Sequence, residues 1–190
     1  MKAFKNYNEV QAYTDSVKLP AGAYEVTIKR AEDTDQALCL LFDISEGEFS
    51  GYFMQKFESD KKNFPENARY KGVFRLWYPN GGQYDEQADR RMKTALQRIV
   101  DSNSLTVDFT KEWNGAVLKG AKVGMIFRDQ EYDYKGRTGM TAQPYQIITL
   151  ADLREGRFVL PEPKRLKGTT SGGAGLISDT VIPEEDDLPF

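Results

Sequence analysis

Lys122-Val123-Gly124-Met125-Ile126-Phe127-Arg128-Asp129-Gln130-Glu131-Tyr132-Asp133-Tyr134, followed by Lys135-Gly136, decides the fold. The run alternates with period 2, the signature of a strand. Val123, Met125 and Phe127 share one face and suit a core. Ile126, Arg128, Gln130, Tyr132 and Tyr134 share the other. Asp129, Glu131 and Asp133 follow the core parity, but they lie beyond the barrel, where they would repel phosphate. A bulge would invert this parity. Lys135-Gly136 turns the chain back, and Gln143 to Leu150 is the expected partner strand.

Working outward, Lys18 to Tyr24 reads as a turn feeding a strand in which Tyr24, Val26 and Ile28 alternate with Glu25, Thr27 and Lys29. Ala37 to Ile44 is a denser apolar run and suits a buried strand. Ser45-Glu46-Gly47-Glu48 is turn-like, and Phe49 to Phe57 is expected to complete a hairpin. A polar loop spans Asp60 to Asn67. Tyr70 to Tyr78 fits helix or strand, and Pro79-Asn80-Gly81-Gly82 ends it. Asp85 to Asp101 is the clearest helix, with Ala88, Met92, Ala95, Leu96, Ile99 and Val100 at spacings of three and four. Asp85 or a neighbour is expected to cap its start. Leu105 to Phe109 is a short strand candidate, and Trp113-Asn114-Gly115 a turn. Ala151 to Gly156 suggests a short helical turn before Pro161-Glu162-Pro163-Lys164 leaves the domain.

These elements predict a mainly β protein with one α-helix, an OB-type Greek-key β-barrel. A β-sandwich is the alternative architecture. The predicted domain is 1–167. Residues 168–190 form a Gly/Ser/Thr-rich linker and an acidic tip, a composition expected to be disordered.

Composition excludes several chemistries. The chain has 190 residues, 39% hydrophobic and 12% aromatic, enough for one folded domain with a tail. It contains no histidine, which removes the commonest general base and transition-metal ligand. Cys39 is the single cysteine, so neither an internal disulfide nor a thiolate cluster can form. No Gly-x4-Gly-Lys-Ser/Thr loop is present. No cofactor and no metal site are expected. The acids Asp129, Glu131 and Asp133 have a ligand-like spacing that on a strand is simple alternation. No apolar run reaches the roughly 18 residues of a membrane span, and the opening Met1 to Tyr7 lacks a signal-peptide core. The expected compartment is the cytoplasm.

Charge is uneven. Five acids and no Lys or Arg fall in 168–190, leaving 26 basic and 24 acidic residues in 1–167, a net of +2 against −3 for the whole chain. Nucleic-acid binding by such a body requires local clustering of the positive charge. Non-specific single-strand binding uses basic side chains along a groove and aromatic faces for stacking. Three clusters combine the two. Arg128, Tyr132 and Tyr134 share the exposed hairpin face, with Lys135 and Arg137 at its tip. Tyr52, Met54 and Lys56 share one face of their expected strand, against Phe53, Gln55 and Phe57, with Lys61 and Lys62 in the loop beyond. The third cluster is Tyr70, Lys71, Arg75, Trp77 and Tyr78. The candidate DNA-binding residues are Tyr52, Lys56, Arg75, Trp77, Arg128, Tyr132, Tyr134, Lys135 and Arg137. Strand aromatics are usually core, and Phe53, Phe57 and Trp77 are read that way first. Arg90, Arg91, Lys93 and Arg98 read as the solvated face of the helix.

The acidic segment ends in Asp186-Asp187-Leu188-Pro189-Phe190. Phe190 suits an apolar pocket while the acids meet a basic rim. The bland alternative is a solubilising terminus. This segment resembles the acidic tip of bacterial and phage single-stranded DNA-binding proteins. That resemblance implies an OB-fold, a flexible linker, and a tip that recruits replication, recombination and repair proteins. The body is similar to a family of small phage single-stranded DNA-binding proteins encoded among replication and recombination functions. The matching residues are Leu19 to Val26, Tyr132 to Gly136, and Asp152 to Phe158. The chain lacks the usual opening of bacterial housekeeping members. The expected function is therefore single-stranded DNA binding with partner recruitment through the tip. An adaptor whose body binds protein is the alternative, and a carboxylate-dependent nuclease is a third reading. Homo-oligomerisation stays open.

Overall fold

A computed structural model describes residues 17–134 and 136–166. In chain order it contains β1 (Gly22–Asp33), β2 (Ala37–Ile44), α1 (Tyr52–Asn63), β3 (Val73–Trp77), α2 (Asp85–Asn103), a 3-10 turn (Gly115–Leu118), β4 (Lys122–Tyr134), β5 (Arg137–Ile148) and α3 (Leu150–Glu155). The strands form one antiparallel sheet in the order β3-β2-β1-β4-β5. The protein is mainly β, as expected, but the described residues carry three α-helices rather than one. The sheet is also open. β3 and β5 are its edges and no ladder joins them, although their Cα atoms come within 8 Å.

The alternating stretch forms β4 with the expected bounds. Val123, Met125 and Phe127 are buried and join Val26, Ile28, Leu40 and Phe42 in the core. The ladder with β5 does carry a bulge. Partners step from Ile126↔Gln146 to Phe127↔Pro144, so the extra residue, Tyr145, lies in β5 and the parity of β4 survives. Ile126 is nevertheless buried, because its face is covered there by Ile148 and by Leu153 of α3 packed over Gly124. β5 begins at Arg137, six residues before the expected start. The run 137–142 offers only Met140 and Ala142 as alternating apolar residues, too short a pattern to announce a strand, and is drafted into the sheet by β4.

α2 buries Ala95, Leu96 and Ile99 against the sheet. Fully burying a side chain the size of Leu96 or Ile99 contributes about 1.5–3 kcal/mol. Arg98, expected in solvent, is partly buried and donates to the Ile147 carbonyl at 2.6 Å. Asn103 exchanges hydrogen bonds with the Lys122 backbone, fixing the entry to β4. Asp85 accepts from the N–H groups of Asn80, Gly81 and Gly82, so it ties the preceding loop rather than the helix interior.

Three segments take another form than expected. Phe49 to Phe57 is not a strand: it leads into α1, which starts after Gly51 in the left-handed conformation (φ 71°). Lys61 and Lys62 close that helix instead of lying in a loop, where they suit the negative end of its dipole. Leu105 to Phe109 forms no strand; Leu105 and Phe109 pack on the core from a loop. The ambiguous segment Tyr70 to Tyr78 resolves as β3. After α3 the chain runs along the side of β4 that β1 leaves unpaired beyond Phe127: Lys164 bonds Asp129 and Glu131 through the backbone, and Leu166 N–H donates to Glu131 Oε2. The linker and acidic tip, 168–190, lie outside the described residues.

Candidate functional site

Between α1 and the β4-β5 hairpin lies a groove of about 380 Å³. It is lined by Lys18, Leu19, Tyr52, Phe53, Lys56 and Lys71 on one side, and by Tyr132 with 140–144 of β5 on the other. Among the described residues its lining holds three lysines and two tyrosines and no carboxylate. Three of the chain's 26 basic residues thus meet at one groove.

Each wall is held by bonds beyond the site. Asp43 of β2 is buried, and its carboxylate accepts the N–H groups of Phe53 and Met54 at 3.0 Å each. It caps α1, whose own N-cap Gly51 has no side chain for the task. Tyr52 and Lys56 were expected to share a strand face; on a helix the spacing of four also keeps them together. The Tyr52 hydroxyl accepts from Leu19 N–H at 3.3 Å, which ties α1 to the chain entering β1. Phe53 lies beneath, 5.4 Å from Phe42 and stacked at 6.0 Å on Phe127. Phe57 is half-buried edge-on to Tyr70 at 5.8 Å. Tyr70 donates to the Phe42 carbonyl at 2.8 Å, and burial, with the charge of Asp43, pushes its hydroxyl pKa well up. It therefore stays a donor and holds Lys71 at the groove.

Tyr132 is 40% exposed. It faces Gly139 across the β4-β5 ladder, and its ring tip occupies the space a side chain at that position would fill. Tyr134 is more exposed, near the hairpin tip. The acids of β4 have other work: Glu131 accepts from Leu166, and Asp133 accepts the Gly136 N–H at 3.0 Å within the turn.

The structure brings together Tyr52, Lys56 and Tyr132, from two separate sequence clusters. Arg75 and Trp77 stand apart: both lie on the face of β3 opposite the buried Phe74 and Leu76, with Arg75 exposed and Trp77 half-buried. Trp77 is therefore not the core residue first expected. Arg128 lies over the ring of Tyr145, 4.6 Å from the centroid, away from the groove lining. Arg137 opens β5, and Lys135 lies outside the described residues, as do Asp186 to Phe190. Lys18 was missed. It looks like an ordinary turn residue, and only the bond of its neighbour Leu19 to the Tyr52 hydroxyl brings it to the site. Tyr145 was missed because a bulge residue has no alternation to betray it.

No protein-family model matches the chain, and no curated protein matches it either. Among the described residues no group of His, Cys, Asp and Glu could hold a metal ion, and no helix is long and apolar enough to cross a membrane.

Proposed function

We propose that the body binds single-stranded DNA with little sequence preference in this groove. The acidic segment Asp186 to Phe190 then recruits replication, recombination or repair proteins. The observation that carries the first half is the convergence of Lys18, Lys56 and Lys71 with Tyr52 and Tyr132, with no acid among the described residues of the lining. Lysines follow a phosphate backbone at any sequence, and phenol rings stack on any base. The reading is of a binding protein, not an enzyme.

The topology supports an OB-type origin for the sheet. A meander β1-β2-β3, a helix between β3 and β4, and β4 returning beside β1 give the order expected of that barrel with its β3-β5 seam left open. The groove lies beside that seam, lined by the edge strand β5. The tip's role rests on its composition and its resemblance to recruiting tips.

The test is fluorescence-monitored binding of oligothymidine across a salt series, comparing the full chain with one ending at Lys167. Binding should weaken steeply with salt, and truncation should keep or improve it while abolishing partner recruitment. Absence of oligothymidine binding at low salt rejects the proposal for the body. Loss of binding on truncation rejects the division of labour.

A further inference from the structure

Tyr132 and Gly139 are a directly opposed pair on β4 and β5. A Cβ on Gly139 would lie 2.6 Å from the Tyr132 Oη, 2.8 Å from Cζ and 3.0 Å from Cε1. The phenol therefore leans across β5 with its tip above the glycine, instead of standing upright from the sheet. That tilt carries the ring from β4, an interior strand, to the β5 edge that borders the groove. We infer that Gly139 is a positioning residue: its missing side chain seats the Tyr132 ring as a base-stacking platform of the groove. The inference rests on the nucleic-acid reading above and adds a residue that touches no ligand itself.

The obstructing atoms are the far end of a side chain, and Gly139 lies in regular β backbone. A methyl group there displaces the ring and leaves the strand in place. Gly139→Ala is thus a means of moving Tyr132 without deleting it.

Three proteins are compared as full chains: Gly139→Ala, Tyr132→Leu and the double variant. The probes are oligothymidine and an abasic oligomer of equal length. Stacking lost at one base should weaken oligothymidine binding roughly 5- to 150-fold in each single variant. The double variant should bind no worse than Tyr132→Leu, and affinity for the abasic strand should be unchanged. Wild-type oligothymidine affinity in Gly139→Ala overturns the inference, as does an equal loss on the abasic strand or additive losses in the double variant. The seat itself is read without DNA. Gly139 Hα should show an upfield ring-current shift that Tyr132→Leu abolishes, and absence of that shift overturns the geometry. A wild-type chain that shows the shift but binds neither oligomer overturns the functional reading and this role with it, while leaving the packing intact.

Discussion

The carboxylate of Asp43 accepts the backbone N–H of Phe53 at 3.0 Å, so a residue at the end of β2 caps a helix ten residues further along the chain. The same carboxylate accepts from Met54 and from its own neighbour Ile44. Removing it leaves these donors, two of them buried, without a partner. Asp43→Ala should therefore cost about 1–3 kcal/mol, read as a shift of the urea midpoint. Asp43→Asn should recover part of that, because one amide oxygen still accepts. Loosening α1 also displaces Tyr52 and Lys56, so Asp43→Ala should weaken oligothymidine binding without touching the groove.

This cap explains which parts of the fold were legible. β1, β2 and β4 carry apolar alternation or continuous apolar runs, and α2 carries its own 3.6-residue period; all four are readable locally. The run from Tyr52 to Phe57 reads as a strand, yet Tyr52 and Lys56 fall on one face of a helix as well. What decides for helix is Asp43, and no local pattern reports a bond across the intervening turn. The site suffered similarly. Tyr52, Lys56 and Tyr132 were visible as aromatic and basic residues, but their convergence with Lys18 and Lys71 depends on tertiary placement. Arg75 and Trp77 have the same chemistry, yet the parity of β3 turns them elsewhere.

Lysine contacts to a single strand should appear in the salt dependence. Each phosphate contact contributes about 0.7 to the slope of log affinity against log salt. Lys56→Gln and Lys71→Gln should each flatten that slope by about this amount and weaken binding at low salt. Arg90 is equally basic and exposed on α2, but it does not line the groove. Arg90→Gln should leave both quantities at wild-type values. An equal effect of all three substitutions would mean that binding follows overall charge.

Gly72 contrasts with Gly139. A Cβ at Gly72 would lie 2.3 Å from the Phe42 carbonyl oxygen, and the Gly72 carbonyl accepts the Phe42 N–H at 2.8 Å. The obstacle is backbone, and it cannot withdraw without breaking the entry to β3. Gly72→Ala should destabilise the protein by roughly 2–3 kcal/mol in urea unfolding. A midpoint unchanged from wild type would show that this approach relaxes freely.

Glu25 supplies a pH dependence with a definite sign. Its side chain is 8% exposed and pairs with Lys122 at 2.7 Å and Arg154 at 3.5 Å, fastening α3 to the sheet. Burial works to raise its pKa, but the hydrogen bond and charge of Lys122, with the charge of Arg154, outweigh it and hold the carboxyl below its ordinary value near 4.5. The folded state therefore binds this proton less readily than the unfolded state. The stabilisation is fully present above the unfolded value and is lost as pH falls through the depressed folded value. Thermal melts should show Tm falling below about pH 4.5, and Glu25→Gln should reduce that dependence because its amide does not titrate. The variant should also melt below wild type at neutral pH, where it leaves Lys122 and Arg154 without their shared partner. A wild-type melting profile that is flat through this range, or one that Glu25→Gln leaves unaltered, would show that the pair does not link protonation to folding.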